Sequence, residues 1–214
     1  MAETTQQAFL DRVRQAMPKK SEPADLPDDL SVARVIKTDV DLVQTFLDRA
    51  DQAKMNVYRV ADEQALVKQV CDIIKKVEAK TAIVPAEPFP GREQIVEQLK
   101  AENIRLQDPD EPDIAFNTDV GITGVQTAVA ETGSIHLVSG GTRRRLASLA
   151  VPCHIAILQA DQILPDLLDW TAQDQTDRAA GQVLVSGPSK TADIELQLVI
   201  GVHGPKEEHL IVVG

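Results

Sequence analysis

The sequence predicts an α/β domain built on a largely parallel sheet. Short β-type runs alternate with amphipathic helical patterns from about residue 32 to the end of the chain, the signature of strands joined by crossover helices. The run HIAILQ (154–159) reads as a buried strand. Hydrophobic residues make up 43% of the 214 residues and charged residues 26%, enough apolar material for a sizeable core, but aromatics are only 3%, so aliphatic side chains must fill it.

Taken in order, residues 4–17 carry Phe9, Leu10, Val13 and Met17 as a narrow helical stripe, with Thr4 or Thr5 placed to cap it. Three prolines among mixed charges over 18–30 read as a linker. Residues 1–31 are therefore an N-terminal helical arm and Pro-rich linker, and 32–214 are the α/β domain. The arm is expected to dock on its own domain, on a second copy as a homodimer, or on another protein. Thr38 with Asp41 marks a helix start, followed by Val43, Phe46, Leu47 and Ala50 at helical spacing. NVYRV (56–60) is a strand. Residues 62–78 form the cleanest helix, with Leu66, Val70, Ile73, Ile74 and Val77 on one face. TAIVP (81–85) is a strand, 91–101 a helix, 104–106 a brief strand and 108–113 a loop. Leu146, Leu149 and Ala150 suggest a helical turn or two. Asp161 is expected to cap a helix carrying Ile163, Leu164, Leu167 and Leu168, with Pro165 in its first turn. GQVLVSG (181–187) and HLIVV (209–213) are strands, and 188–198 starts as a turn and becomes helical.

The net charge of −11 argues against nucleic acid as a partner, because phosphate neutralisation needs clustered cations. No run reaches the ~18 apolar residues of a membrane span, and the N-terminus lacks a basic-then-apolar leader pattern, so a cytoplasmic protein is expected. Cys71 and Cys153 are the only cysteines, and both read as small buried apolar residues. Two cysteines cannot ligate an ordinary iron–sulfur cluster. The four histidines lack metal-site spacing, so no metal is expected.

The stretch organising the chain is GITGVQTAVAETGSIHLV (121–138). Gly121-x-x-Gly124 reads as a turn, and Glu131-Thr132-Gly133 interrupts an apolar run just before a strand. A carboxylate there is badly placed for packing and well placed to face a ligand; the plainer alternative is a solvated Glu131 beside a turn glycine. Two further polar loops leave strands. One is Gly140 to Arg145, where Arg145, beside Leu146, is expected to point inward as a clamp for an anion. The other is Ser186 to Asp193, where Ser189, Lys190, Thr191 and Asp193 surround an expected helix start, chemistry suited to an anion or simply to capping. In a parallel sheet these two loops would share one edge. His203, in the turn GVHGP (201–205), is placed to transfer protons.

Three segments together, GITGVQTAVAETGSIHLV, RRLASLAVPCHIAIL (144–158) and SGPSKTADIELQLVIGVHGP (186–205), resemble the LUD domain family. The resemblance covers roughly Val32 to Gly214. It implies a three-layer α/β/α fold similar to the NagB/RpiA/CoA-transferase group. It also implies a part in oxidation of L-lactate to pyruvate, in which partner proteins carry the iron–sulfur clusters and this chain binds none alone. In CoA-transferases of that fold group a glutamate beside glycine is the covalent nucleophile, and Glu131 is similar in kind. The alternative expectation is thus a stand-alone enzyme or sensor for an acyl-CoA or phosphorylated compound. Glu131 would be its nucleophile or base, Arg145 and Lys190 would hold the anion, and His203 would move protons.

Overall fold

The computed structural model describes residues 2–16, 29, 34–36, 40–108, 111–173, 179–191 and 199–214. The chain divides into two units, residues 1–33 and 34–214. The first contains one helix, α1 (Ala2–Ala16), with Phe9, Leu10 and Val13 exposed. The linker 18–30 lies outside the described residues except at Asp29.

In the second unit the elements run α2 (Leu42–Gln52), β1 (Asn56–Val60), α3 (Glu63–Lys76), β2 (Thr81–Ile83), α4 (Arg92–Ala101), β3 (Arg105–Leu106), α5 (Pro112–Phe116), β4 (Val120–Gly124), β5 (Thr127–Val129) and β6 (Ser134–Ser139). They continue with α6 (Leu146–Leu149), β7 (Cys153–Gln159), a 3-10 turn, β8 (Ile163–Leu164), α7 (Leu167–Ala172), β9 (Gly181–Val185), β10 (Lys190–Thr191), β11 (Val199–Ile200) and β12 (Glu207–Val213). The helix starts are chemically explicit. Asp41 accepts the Gln44 N–H at 3.0 Å, and Asp62 accepts the Ala65 N–H at 2.8 Å, each filling a donor with no partner inside its helix. Among the described residues no helix is long and apolar enough to cross a membrane.

Six strands form one parallel sheet in the order β1-β12-β7-β4-β2-β3. Its two faces differ. α3 and α4 cover one with Leu66, Val70, Ile74, Ile95 and Leu99. The other is covered by α2, by α6, and by a second, four-stranded sheet ordered β8-β5-β6-β9. Within that sheet β5 and β9 both run antiparallel to β6. The mixed α/β class agrees with the sequence; the extra sheet in one outer layer does not follow from its pattern.

Four local expectations are corrected. Gly121–Gly124 is strand β4, not a turn. Gly121 is glycine because a Cβ there would lie 1.7 Å from the Ala147 carbonyl oxygen, where α6 crosses the sheet. The helix expected from Asp161 is instead β8 followed by α7, because Asp166 caps beyond Pro165, its side chain accepting the Asp169 N–H. The helix expected over 188–198 begins as β10, paired with β11; residues 192–198, including Asp193, lie outside the described residues. Part of the 108–113 loop starts α5, with Pro112 at its first position, where a missing N–H costs nothing.

Asp119 holds the sheet together ahead of β4. Its Oδ2 accepts from the Lys80 and Thr81 N–H groups and from the Thr81 hydroxyl, at 2.8–2.9 Å. Burial pushes this carboxyl up, but the three hydrogen bonds outweigh it and hold it below the usual carboxylate range. A depressed pKa means stabilisation present above the unfolded value and lost as pH falls through the folded one. Asp119→Asn is therefore expected to cost about 1–3 kcal/mol near neutral pH. Thermal melts of both proteins should converge as the pH is lowered below the carboxylate range.

A candidate small-anion site behind strand β4

Strands β12, β7 and β4 lie side by side, with Glu208 opposite His154 and His154 opposite Gly121. Side chains alternate along a strand, so Glu208, His154 and Thr123 project from one face. Glu208 Oε1 lies 2.5 Å from His154 Nδ1, and His154 Nε2 lies 2.9 Å from Thr123 Oγ1. The three are 1%, 0% and 5% exposed, so the contacts are made away from water, where they are strong and where a missing partner would be expensive. Burial pushes the Glu208 carboxyl up, against the pull of His154. With Nδ1–H donating to Glu208, Nε2 carries the lone pair and the Thr123 hydroxyl donates to it.

Thr123 opens onto a cavity of about 20 Å³, room for one water. Its polar lining is Glu87, Thr123, Ser139, Arg144, Arg145 and Ser148. A second cavity of similar size lies beside it and is reached by Arg143; Glu87 lines both. Glu87 is 5% exposed. Its Oε1 accepts the Gly124 N–H at 3.1 Å, and Oε2 lies 3.7 Å from Arg143 Nε. Burial pushes this carboxyl up; the Gly124 N–H and Arg143 pull the other way.

The arginine run is correspondingly reordered. Arg145 is exposed at the cavity wall, and Arg143 is the one that reaches inward, to Glu87. Arg143 and Gly140 exchange backbone hydrogen bonds at 3.0 Å, a turn tight enough to need Gly141 at φ 58°. Arg144 donates to the Gly141 carbonyl.

The remaining expected site residues gather elsewhere. β9 runs antiparallel to β6, so the loop leaving β9 meets the loop entering β6, and the arginine loop lies at the other end of β6, about 17 Å away along the strand. Thr132 Oγ1 donates to Ser134 Oγ, which is 2.6 Å from Ser186 Oγ. Gly133 takes φ 65° against α2, where a Cβ would lie 2.4 Å from Ala50 N. Glu131 Oε2 accepts the Leu167 N–H at 3.1 Å, a second cap for α7. Lys190 Nζ donates to the Ala53 carbonyl at the end of α2. The Ser189 N–H donates to the Pro205 carbonyl, the Ser189 carbonyl accepts the Gly201 N–H, and Thr191 pairs with Val199. His203 is exposed on a groove of about 440 Å³ with Phe116 and Pro152. Thus Glu131, Thr132 and Gly133 come near the β9 end, apart from Arg145 and the buried line. Glu87, Thr123, Arg143, His154 and Glu208 were missed. For Thr123, His154 and Glu208 the signal in the sequence is a polar residue inside or at the start of an apolar strand run, as in Ile-Thr-Gly and Glu-His-Leu-Ile-Val-Val; Glu87, in Pro-Ala-Glu-Pro, and Arg143, in the arginine run, lie in loops with no such mark.

Fold and site together define an α/β protein with a buried carboxylate–imidazole–hydroxyl line opening on a small cavity edged by arginines. The LUD domain model matches residues 43–213, and the chain belongs to that family. It is 30% identical over 187 residues to lactate utilization protein C of Halalkalibacterium halodurans, covering 83% of this chain and 74% of that protein. It is 40% identical over 111 residues to lactate utilization protein C 1 of Bacillus mycoides, covering 48% of this chain and 47% of the relative. The crystal structure of a DUF162 family protein from Deinococcus radiodurans superposes with a TM-score of 0.62 at 25% identity, covering 81% of this chain and 97% of that one.

Proposed function

We propose that this chain is a cytoplasmic subunit for L-lactate utilization, taking part in oxidation of L-lactate to pyruvate with partner proteins that carry iron–sulfur clusters. The likeness to lactate utilization protein C along most of the folded domain supports the pathway. The geometric observation that carries the chain's own role is the Glu208–His154–Thr123 line ending at an arginine-edged cavity. That arrangement suits a small anion. Oxidation of lactate releases two electrons and two protons; the electrons go to the partners' clusters, and this chain's side chains handle binding and protons. The NagB/RpiA/CoA-transferase likeness remains part of this proposal. A stand-alone enzyme with Glu131 as nucleophile is less well supported, because that carboxylate is engaged in capping α7.

A tagged chain purified from its host grown on L-lactate should bring down brown, cluster-absorbing partners. Lactate turnover should appear only when those partners are present. A colourless single species, or steady turnover by the isolated chain, would overturn the assignment.

A further inference from the structure

The ligand chemistry of the cavity beside Thr123 can be read from its hydrogen-bond directions. The Thr123 hydroxyl faces His154 Nε2 at 2.9 Å; with the imidazole proton on Nδ1, given to the Glu208 carboxylate, the hydroxyl commits its own proton to Nε2. Ser139 Oγ donates to the Gly181 carbonyl at 3.2 Å, and Ser148 Oγ donates to the Arg145 carbonyl at 3.0 Å. All three hydroxyls therefore offer only lone pairs to the cavity. Glu87, on the same wall, is also an acceptor when ionised. The cationic groups are Arg144 and Arg145. The cavity thus has a cationic side suited to a carboxylate and an acceptor side that asks its occupant for a hydrogen-bond donor.

Resting on the lactate-pathway reading, we infer that this cavity is a selective site for a short 2-hydroxycarboxylate. The carboxylate pairs with Arg145, and the 2-hydroxyl donates to Thr123 Oγ1. A 2-oxo acid brings an acceptor to an acceptor, and a plain carboxylate brings nothing, so both are rejected. The same line gives the hydroxyl proton a route. As the ligand O–H bond breaks, its proton forms a new O–H bond at Thr123, and the former Thr123 proton passes to His154 Nε2. The resulting imidazolium is held by Glu208, and no electron is moved. Because the cavity has room for one water, entry requires the 140–145 turn to move outward, breaking the Arg143–Glu87 approach.

The test is a titration of the full isotope-labelled chain, followed by amide NMR shifts, with L-lactate, propionate and pyruvate as separate probes. L-Lactate is expected to bind about five- to tenfold more tightly than either of the others, the factor that one hydrogen bond between neutral hydroxyls supplies. Thr123→Val should erase the preference for lactate, and Thr123→Ser, which keeps the hydroxyl and serves if the valine variant folds poorly, should retain it. Arg145→Ala, a change at an exposed side chain, should weaken L-lactate binding. Equal affinity for the three probes, a preference that survives Thr123→Val, or no saturable shift with L-lactate would overturn the inference. If partners co-purify while lactate leaves the spectrum unchanged, the site assignment falls and the pathway reading stands. Selective lactate binding with no co-purifying partner gives the reverse.

Discussion

Gly121→Ala is expected to unseat α6 and to lower the melting temperature by roughly 6–12 °C, taking an overpacking cost of about 3 kcal/mol and about 2–4 °C per kcal/mol at this size. The added Cβ would stand 1.7 Å from the Ala147 oxygen, 2.8 Å from its carbon and 3.1 Å from a Val151 methyl. Two of these atoms are backbone, so no rotamer change relieves the contact, and either β4 or α6 must shift. Ser148 is part of that helix, and the turn from Gly140 to Arg145 leads into it. The cavity should therefore widen and lactate selectivity should fall with stability. Gly141→Ala is the contrast. Gly141 has φ 58° with nothing within 4 Å of the added carbon, so only the left-handed backbone penalty of about 1–2 kcal/mol applies. Differential scanning calorimetry of the two variants decides the point. A Gly121→Ala protein that melts like the parent, or a Gly141→Ala protein that loses more, would refute the close-approach account of β4.

The elements that could be read along the chain are those whose own residues state the period and the cap. α3 announces itself through Asp62 and the stripe Leu66, Val70, Ile73, Ile74, and β1 through NVYRV. Between Val120 and Val129 the local signal fails. Gly-Ile-Thr-Gly and Thr-Ala-Val are short and built of small residues, so neither a period of two nor of 3.6 is visible, and the pairing that makes them strands comes from residues far away. The error over the loops has the same origin. Strand direction is a tertiary property, and an antiparallel β9 sends Lys190 toward Glu131's end of β6 rather than toward Arg145. Glu131 stood out because it breaks an apolar run, yet its position follows from the need to cap α7. Thr123, His154 and Glu208 did not stand out, since they lie in three strands far apart in the sequence and none carries a motif of its own. Only the order β12-β7-β4 makes them a line.

That line gives the other large effect. His154→Ala is expected to cost about 3–5 kcal/mol, because it leaves the Glu208 carboxylate buried without a partner. At about 2–4 °C per kcal/mol for a chain of this size, the melting temperature should fall by roughly 6–20 °C. A buried, hydrogen-bonded carboxylate–imidazole pair is nonetheless weak support for a stability role, since well-packed apolar replacements of similar volume often match or exceed such buried polar groups. The surrounding side chains favour such a replacement: Ala156, Leu158, Leu210 and Val212, on the same face, are all fully buried and apolar. Changing the whole line at once, Thr123→Val with His154→Leu and Glu208→Leu, should restore melting to within about 3 °C of the parent or above, while L-lactate loses its advantage over propionate. Recovered stability with lost selectivity would mark the line as kept for the ligand. A triple variant as unstable as His154→Ala would instead make the three polar groups part of what holds β12, β7 and β4 together.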